Sequence, residues 1–170
     1  MLPIGMMADK LDASVVSGVL TPEFRKVMGR WTTGISVITT CFEGVLAGLV
    51  SNSFTSVSLE PPLVSWCVDT RSSSLELWLH TDNFAVHVLG EADRAFVARF
   101  AQKGQGKFSG IDWQPGTCGS PVIDDRMLRL DCSVWSRHQA GDHVIIVGLV
   151  IGTVQRGDFD PLTNRTLYPN

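Results

Sequence analysis

The sequence predicts a mainly β protein, a closed or nearly closed antiparallel barrel with short peripheral helices. Two observations carry this. About six stretches of β-branched or alternating apolar residues are punctuated by Gly and Pro at the intervals of short strands, and only short helical stretches separate them. The 170 residues, with 44% hydrophobic side chains, suit one compact domain. Charged residues reach 18%, short of the roughly 25% of an ordinary soluble domain, and a buried subunit interface would explain the shortage.

Taken in chain order, residues 1–18 read as a flexible arm preceding a domain over 19–170. Thr21-Pro22-Glu23 has the residue types of a helix start: a capping hydroxyl, a proline at the first helical position and an acid beside the free N–H groups. The helix runs through Phe24, Val27 and Met28 to Gly29. ISVITT, a turn at Glu43-Gly44 and VLAGLV make a hairpin, and Leu63 to Asp69 is a third strand after Pro61-Pro62. Ser72 to His80 reads as a capped helix and Phe84, Val86 and Val88 as a fourth strand, followed by helical spacing from Ala92 to Phe100. KGQGKFSGIDWQPGTCGSP, with five glycines and two prolines, is a long loop of the kind that a scaffold positions for function. Leu128, Leu130, Cys132 and Val134 alternate against Arg129, Asp131 and Ser133. After the turn QAGD a long strand runs from His143 to Val154.

Several function classes lose support. A net charge of −3 without Lys/Arg blocks offers nothing to nucleic acid or an anionic membrane. The longest apolar stretch, Val144 to Val154, is too short for a bilayer, and the N-terminus lacks the basic region of a signal peptide, so a cytoplasmic protein is expected. Cys41, Cys67, Cys118 and Cys132 lie far apart without a CxxC pair, as reduced, mostly buried thiols do. GQGKFSG follows a helix where a dinucleotide fingerprint needs a strand, and phosphate-loop, nucleophile-elbow and HExxH motifs are missing. His80, His87, His138 and His143 are scattered, without metal-ligand spacing.

Three polar features remain. Ser51, Asn52, Ser53, Thr55, Ser56 and Ser58 could line the edge of a flat heteroaromatic ring, although residue types alone favour a plain turn-rich connection. Asp69-Thr70-Arg71-Ser72-Ser73-Ser74 leads into a helix, where hydroxyls, a guanidinium and free N–H groups suit phosphate; a serine cap with a solvated arginine would read the same. Gly141-Asp142-His143 puts a histidine at a strand entrance, able to bond a ligand amide, although such a histidine is more often a plain turn residue.

Together the segments FRKVMGRWTTGISVITT, NSFTSVSLEPPLVSWCVD, NFAVHVL, KFSGIDW with GSPVI, LDCSV and AGDHVIIVGLV fall in an order that resembles the short flavin reductase family, the reductase components of two-component flavin-dependent monooxygenases. The resemblance runs from Phe24 to Leu162. It implies an FMN-binding split β-barrel of Greek-key type working as a homodimer, with FMN or FAD and NADH or NADPH as cofactors and a monooxygenase as partner. It implies that Thr33, Gly34, Ser51, Asn52, Ser53, Ser56 and Ser58 hold the ring and ribityl chain, and that Arg71, Ser72, Ser73 and Ser74 hold the phosphate. Lys107 and Phe108 would close over the ligand and His143 would lie near the nicotinamide. Hydride passes directly between stacked cofactors in such a reductase, so no catalytic side chain is expected.

The chain also departs from that family. Gly48-Leu49-Val50-Ser51-Asn52-Ser53-Phe54 stands where GMTVNSF is common, so a threonine hydroxyl is replaced or shifted. His87 replaces a frequent asparagine, and the ending lacks the usual tyrosine-glycine-tyrosine, so no ligand role passes to Tyr168. Trp31, Trp66 and Trp78 lie in apolar segments and are expected in the core or an interface. A split-barrel oxidase with tightly bound FMN, a non-catalytic flavin-binding protein and a structural dimer are the alternatives.

Overall fold

A computed structural model describes residues 21–104, 106–124, 127–155, 158 and 160–168; the expected arm over 1–18 lies outside them. Two compact units divide the chain, residues 1–32 and 33–170. The described part of the first contains helix α1, Thr21–Met28, which ends at Gly29 as its sequence predicts.

The second unit is built on one seven-stranded antiparallel sheet. Strands β1 (Ser36–Phe42) and β2 (Val45–Ser51) form the expected hairpin. Its two-residue turn needs positive φ at both positions, supplied by Glu43 at 50° and Gly44 at 77°. Then come β3 (Thr55–Leu59), β4 (Pro62–Asp69), helix α2 (Leu75–His80) and β5 (Asn83–Val88). A 3₁₀ turn at Glu91–Asp93 leads into α3 (Arg94–Phe100). The long loop carries a small ladder, β6 (Gln114–Pro115) with β7 (Pro121–Val122), before β8 (Leu128–Ala140), β9 (His143–Val154) and α4 (Asn164–Leu167).

The strand order is β2-β1-β5-β8-β9-β4-β3, so consecutive strands β2 and β3 occupy opposite edges. In a flat sheet those edges would lie about 29 Å apart. Residues 52–54 join Ser51 to Thr55, a reach of about 15 Å at most. The sheet must therefore roll until its edges approach, and among the described residues they approach without pairing.

Trp66, Trp78 and Phe84 fill the rolled interior, with Trp66 edge-on to both, centroids 4.9 and 5.8 Å away. A second cluster of Ile35, Val37, Leu89, Phe100 and Leu162 packs beside it. Strand β1 lies between the two, with Ile38 in one and Val37 in the other, so it is buried on both faces instead of alternating. Gly148 lets the Phe84 ring reach β9: a Cβ there would stand 2.4 Å from Phe84 Cζ.

Several expectations change. The serine-rich connection contains a strand, β3, exposed along most of its length. Helix α2 starts at Leu75, later than expected, and Ser74 at its N-cap makes no side-chain cap bond; its Oγ accepts from Trp78 Nε1 at 2.9 Å instead. Strand β8 continues to Ala140, with a bulge between Val134 and Ser136. Arg129 and Asp131 are buried, not outward: Leu130, Cys132 and Val134 keep one face of β8 on the core, and the long loop covers the other. They form an ion pair with nitrogens 3.2 and 3.3 Å from Asp131 Oδ2, and Cys118 of the long loop reaches Asp131 Oδ1 at 3.6 Å. Of the four free thiols, Cys132 is buried and the others are half-buried. Trp66 and Trp78 are core residues, whereas Trp31 is exposed. No helix among the described residues is long and apolar enough to cross a membrane.

His87, on β5, is wholly buried. Its Nδ1 lies 3.2 Å from the Val37 carbonyl and its Nε2 accepts the Ile123 N–H at 3.4 Å, which fixes a neutral ring protonated on Nδ1. Burial pushes its pKa from 6.5 to about 4. Between those values the unfolded chain binds a proton that the folded chain refuses, so stability falls as pH drops across that window, by about 3 kcal/mol. Denaturant midpoints from pH 7 to 4 should therefore decline in the wild type and decline less in His87→Asn; parallel curves would exclude His87 as the source.

Candidate functional site

A cleft of about 740 Å³ opens where the rolled sheet brings the end of β2 beside β4, with the segment after α3 along one side. Along β4, Val64, Trp66 and Val68 point into the core, which leaves Cys67 and Asp69 on the opposite face, lining the cleft. Ser51, Asn52 and Ser53 follow from the β2–β3 link. Ser53 Oγ accepts the Cys67 N–H at 2.9 Å and lies 3.0 Å from Ser51 Oγ, while Ser36 Oγ donates to the Ser51 carbonyl at 3.1 Å. These two hydroxyls are thus partly spent on holding the link against β4. The Asn52 side chain is exposed and makes no hydrogen bond among the described residues, so its amide offers both a donor and an acceptor.

The β4–α2 connection brings Asp69, Arg71, Ser72 and Ser73 to the same cleft. Arg71 grips Asp69 with Nε at 3.1 Å and Nη2 at 2.9 Å, and its backbone N–H donates to Oδ1 at 2.7 Å. That grip holds the Asp69 carboxyl well below the usual carboxylate range and raises the guanidinium pKa. Ser72 Oγ and Ser74 Oγ lie 3.2 Å apart, and the Ser73 side chain is exposed.

His143 starts β9, opposite Asp69 in register. Its Nδ1 lies 2.7 Å from Asp142 Oδ1, and the hydrogen bond lowers the Asp142 pKa. A carboxylate can only accept, so Nδ1 carries the proton and Nε2 is left for a ligand. Gly141, at φ 61°, makes the turn that places this pair.

Lys107 belongs to the glycine-rich loop but is held like a core residue. Its Nζ donates to the carbonyls of Gly48 and Phe100, both at 2.9 Å, and burial lowers its pKa. Gly48 permits the arrangement: a Cβ there would come within 2.5 Å of the Phe100 ring and 3.3 Å of Phe108. Phe108 and Ser74 line a smaller adjoining cavity of about 280 Å³, which shares Ser73 and Lys107 with the cleft.

The structure therefore gathers Ser51, Asn52, Ser53, Arg71, Ser72, Ser73, Lys107 and His143 at one cleft, with Ser74 and Phe108 next to it. Thr33, Gly34, Ser56 and Ser58 lie outside. Thr33 exchanges backbone and side-chain bonds with Asn164, both 3.0 Å, and Gly34 bridges to Thr163; the buried Thr33 Oγ1 has no partner among the described residues. Ser56 is on the exposed strand β3, and Ser58 Oγ accepts the Glu60 N–H at 3.2 Å. Sequence reasoning missed Cys67, Gln102 and Lys103 as lining residues. For Cys67 the signal existed in the alternation of β4; for Gln102 and Lys103 it did not, since only the return of α3 over β2 brings them there. Among the described residues no cluster of His, Cys, Asp or Glu could hold a metal ion.

A family model described as a flavin reductase like domain matches residues 28–168. The chain belongs to the flavin reductase-like family. This flavin reductase-like chain is 43% identical over 127 residues to the reductase subunit HsaB of a flavin-dependent monooxygenase from Mycobacterium tuberculosis (strain CDC 1551 / Oshkosh), covering 75% of its own length and 68% of the relative's. It is 41% identical over 149 residues to the FMN reductase (NADH) SmoA of Agrobacterium fabrum, covering 87% and 84%. Among solved structures it is similar to the NADH:FAD oxidoreductase SgcE6 of Streptomyces globisporus, in complex with NAD and FAD fragments, with a TM-score of 0.78, 31% identity and coverage of 84% and 86%.

Because Lys107 ties the glycine-rich loop to both β2 and α3, Lys107→Met should leave two carbonyls without their donor and lower stability by about 2 kcal/mol. Hydrogen exchange should quicken in the loop and at the end of α3; a variant with wild-type exchange there would show that the ammonium is not a clamp.

Proposed function

We propose that the protein is an NAD(P)H:flavin oxidoreductase that reduces FMN or FAD and delivers the reduced flavin to a separate flavin-dependent monooxygenase. The supporting observation is that a chain of this family brings the ring-edge segment, the phosphate segment, Lys107 and the strand-entrance histidine to one cleft. At about 740 Å³ the cleft falls within the roughly 300–1,000 Å³ of small-molecule sites. Its donors suit a flavin nucleotide: the free Asn52 amide for the ring edge, the exposed Ser73 hydroxyl and the third Lys107 N–H for phosphate.

Bound flavin supplies the ring that takes the hydride from the reduced nicotinamide. The chain's part is to orient and to screen. Ser53 holds the β2–β3 link against β4 and so fixes where Asn52 sits. Lys107 places a positive charge, partly withdrawn from water, beside a ligand that gains negative charge on reduction. Asp142 fixes the imidazole of His143 so that Nε2 is free to bond the nicotinamide carboxamide.

A homodimer accounts for the low charge. On β9, Val144, Ile146 and Gly148 face the core, while Ile145, Val147, Leu149 and Ile151 form an apolar row on the other face, half-buried apart from exposed Ile151. A second copy of the chain would cover it. Four free thiols suit a reducing cytoplasm.

NADH oxidation followed anaerobically should depend on added flavin; no flavin-dependent oxidation would refute the reductase, and turnover without added flavin would favour a tightly loaded oxidase. His143→Ala should raise the KM for the nicotinamide substrate about three- to tenfold with a smaller effect on the flavin KM. Equal effects would remove His143 from that role. Replacing Ser72 and Ser73 by alanine should weaken FMN about tenfold and riboflavin little. Equal losses in direct binding would place the phosphate elsewhere.

A further inference from the structure

The small cavity beyond Lys107 carries a more specific reading, one that rests on the flavin reductase function above. The geometry points to FAD as the flavin this chain prefers, with the adenosine half in that cavity and the pyrophosphate at the junction.

The two cavities adjoin at Ser73 and Lys107, which line both. Their character changes at that junction. On one side the cleft is edged by Asp69, Arg71, Gln102 and Lys103, with polar Asn52 and Ser53 within it. On the other, Val45, Leu46, Ala47, Leu77 and Phe108 line most of a space of about 280 Å³, with Ser74 and Gly48, Gly104 and Gly106 between them. A planar base with apolar faces suits that largely apolar wall.

The junction suits anionic oxygens. Lys107 Nζ is fixed by two carbonyls, and an ammonium has three protons, so one remains for a ligand. Ser73 adds a hydroxyl with no partner among the described residues. FMN ends at its phosphate and would reach no farther than the junction. FAD continues through a second phosphate into ribose and adenine, which matches a charged neck followed by an apolar chamber.

The chamber's walls are built, not accidental. Phe108 packs edge-on against Phe100, centroids 5.2 Å apart, and both rings rest where Gly48 has no side chain. The ring is therefore held in place before any ligand arrives, and little side-chain freedom remains to be lost on binding.

Dissociation constants for FAD and FMN, measured by calorimetry on the unreduced protein, test this without turnover. FAD should bind the wild type about tenfold more tightly than FMN. Leu77→Trp or Val45→Trp, which fill the chamber, should bring FAD to the level of FMN and leave FMN unchanged; Val45 is exposed, so that variant does not disturb the core. FMN bound as tightly as FAD by the wild type overturns the inference while leaving the reductase reading intact. So does a filled chamber that weakens both flavins alike, or one that raises the KM for NAD(P)H and spares FAD, which would give the chamber to the nicotinamide dinucleotide. Binding of neither flavin would overturn the reductase reading along with it.

Discussion

The link over residues 52–54 is the constraint on which the rest depends. It ties strands from opposite edges of the sheet across a distance that a flat sheet could not close. Rolling creates the interior filled by Trp66, Trp78 and Phe84, and the same movement carries Ser51–Ser53 to Cys67 and Asp69. Fold and cleft thus have one cause. The Ser53 Oγ bond to the Cys67 N–H is its local expression, since it fastens the short link to β4, five places from β2 in the sheet order.

Two glycines on strands make the packing around that roll possible. Gly148 admits Phe84 to β9 from inside, and Gly48 admits Phe100 to β2 from outside. In each case a β-carbon would collide with an aromatic ring that is itself fixed by other rings, so the neighbours have little room to yield. Phe100 then gives its backbone carbonyl to Lys107, so the order of the glycine-rich loop derives from a missing side chain on β2. Helix α2 is closed in a comparable way: it is too short to stabilise itself, and Arg137 of β8 donates Nε to Trp78 O at 2.9 Å and Nη2 to Thr81 O.

Much of this was legible in the residues. Glu43-Gly44 marked the hairpin, Asp69 to Ser74 marked a polar approach to a helix, and the apolar run from His143 marked the longest excursion through the sheet. What escaped depended on contacts remote in sequence. Arg129 and Asp131 read as the wet face of a strand because alternation carries no record of a loop that comes to cover it. Strand β3 was hidden because serines suit turns as well as exposed edges. Thr33 and Gly34, which the family resemblance implies at the ligand, pair with Asn164 and Thr163, more than a hundred residues away, and no local pattern announces those partners.

The charges at the cleft suit a ligand that must leave again. Arg71 is the strongest anion binder there, but Asp69 already fills one side of its fork, and the pair is exposed to water. A phosphate must compete with that carboxylate or accept a single-edged contact, and either way loses part of the advantage of a bidentate grip. His143 likewise has one nitrogen committed to Asp142. Lys107 is the more sheltered cation, but two of its three protons are spent on carbonyls. Each positive group is thus partly satisfied before a nucleotide arrives. Holding back binding energy in this way favours positioning over retention, which is what a reductase needs when its product flavin must dissociate and reach another protein.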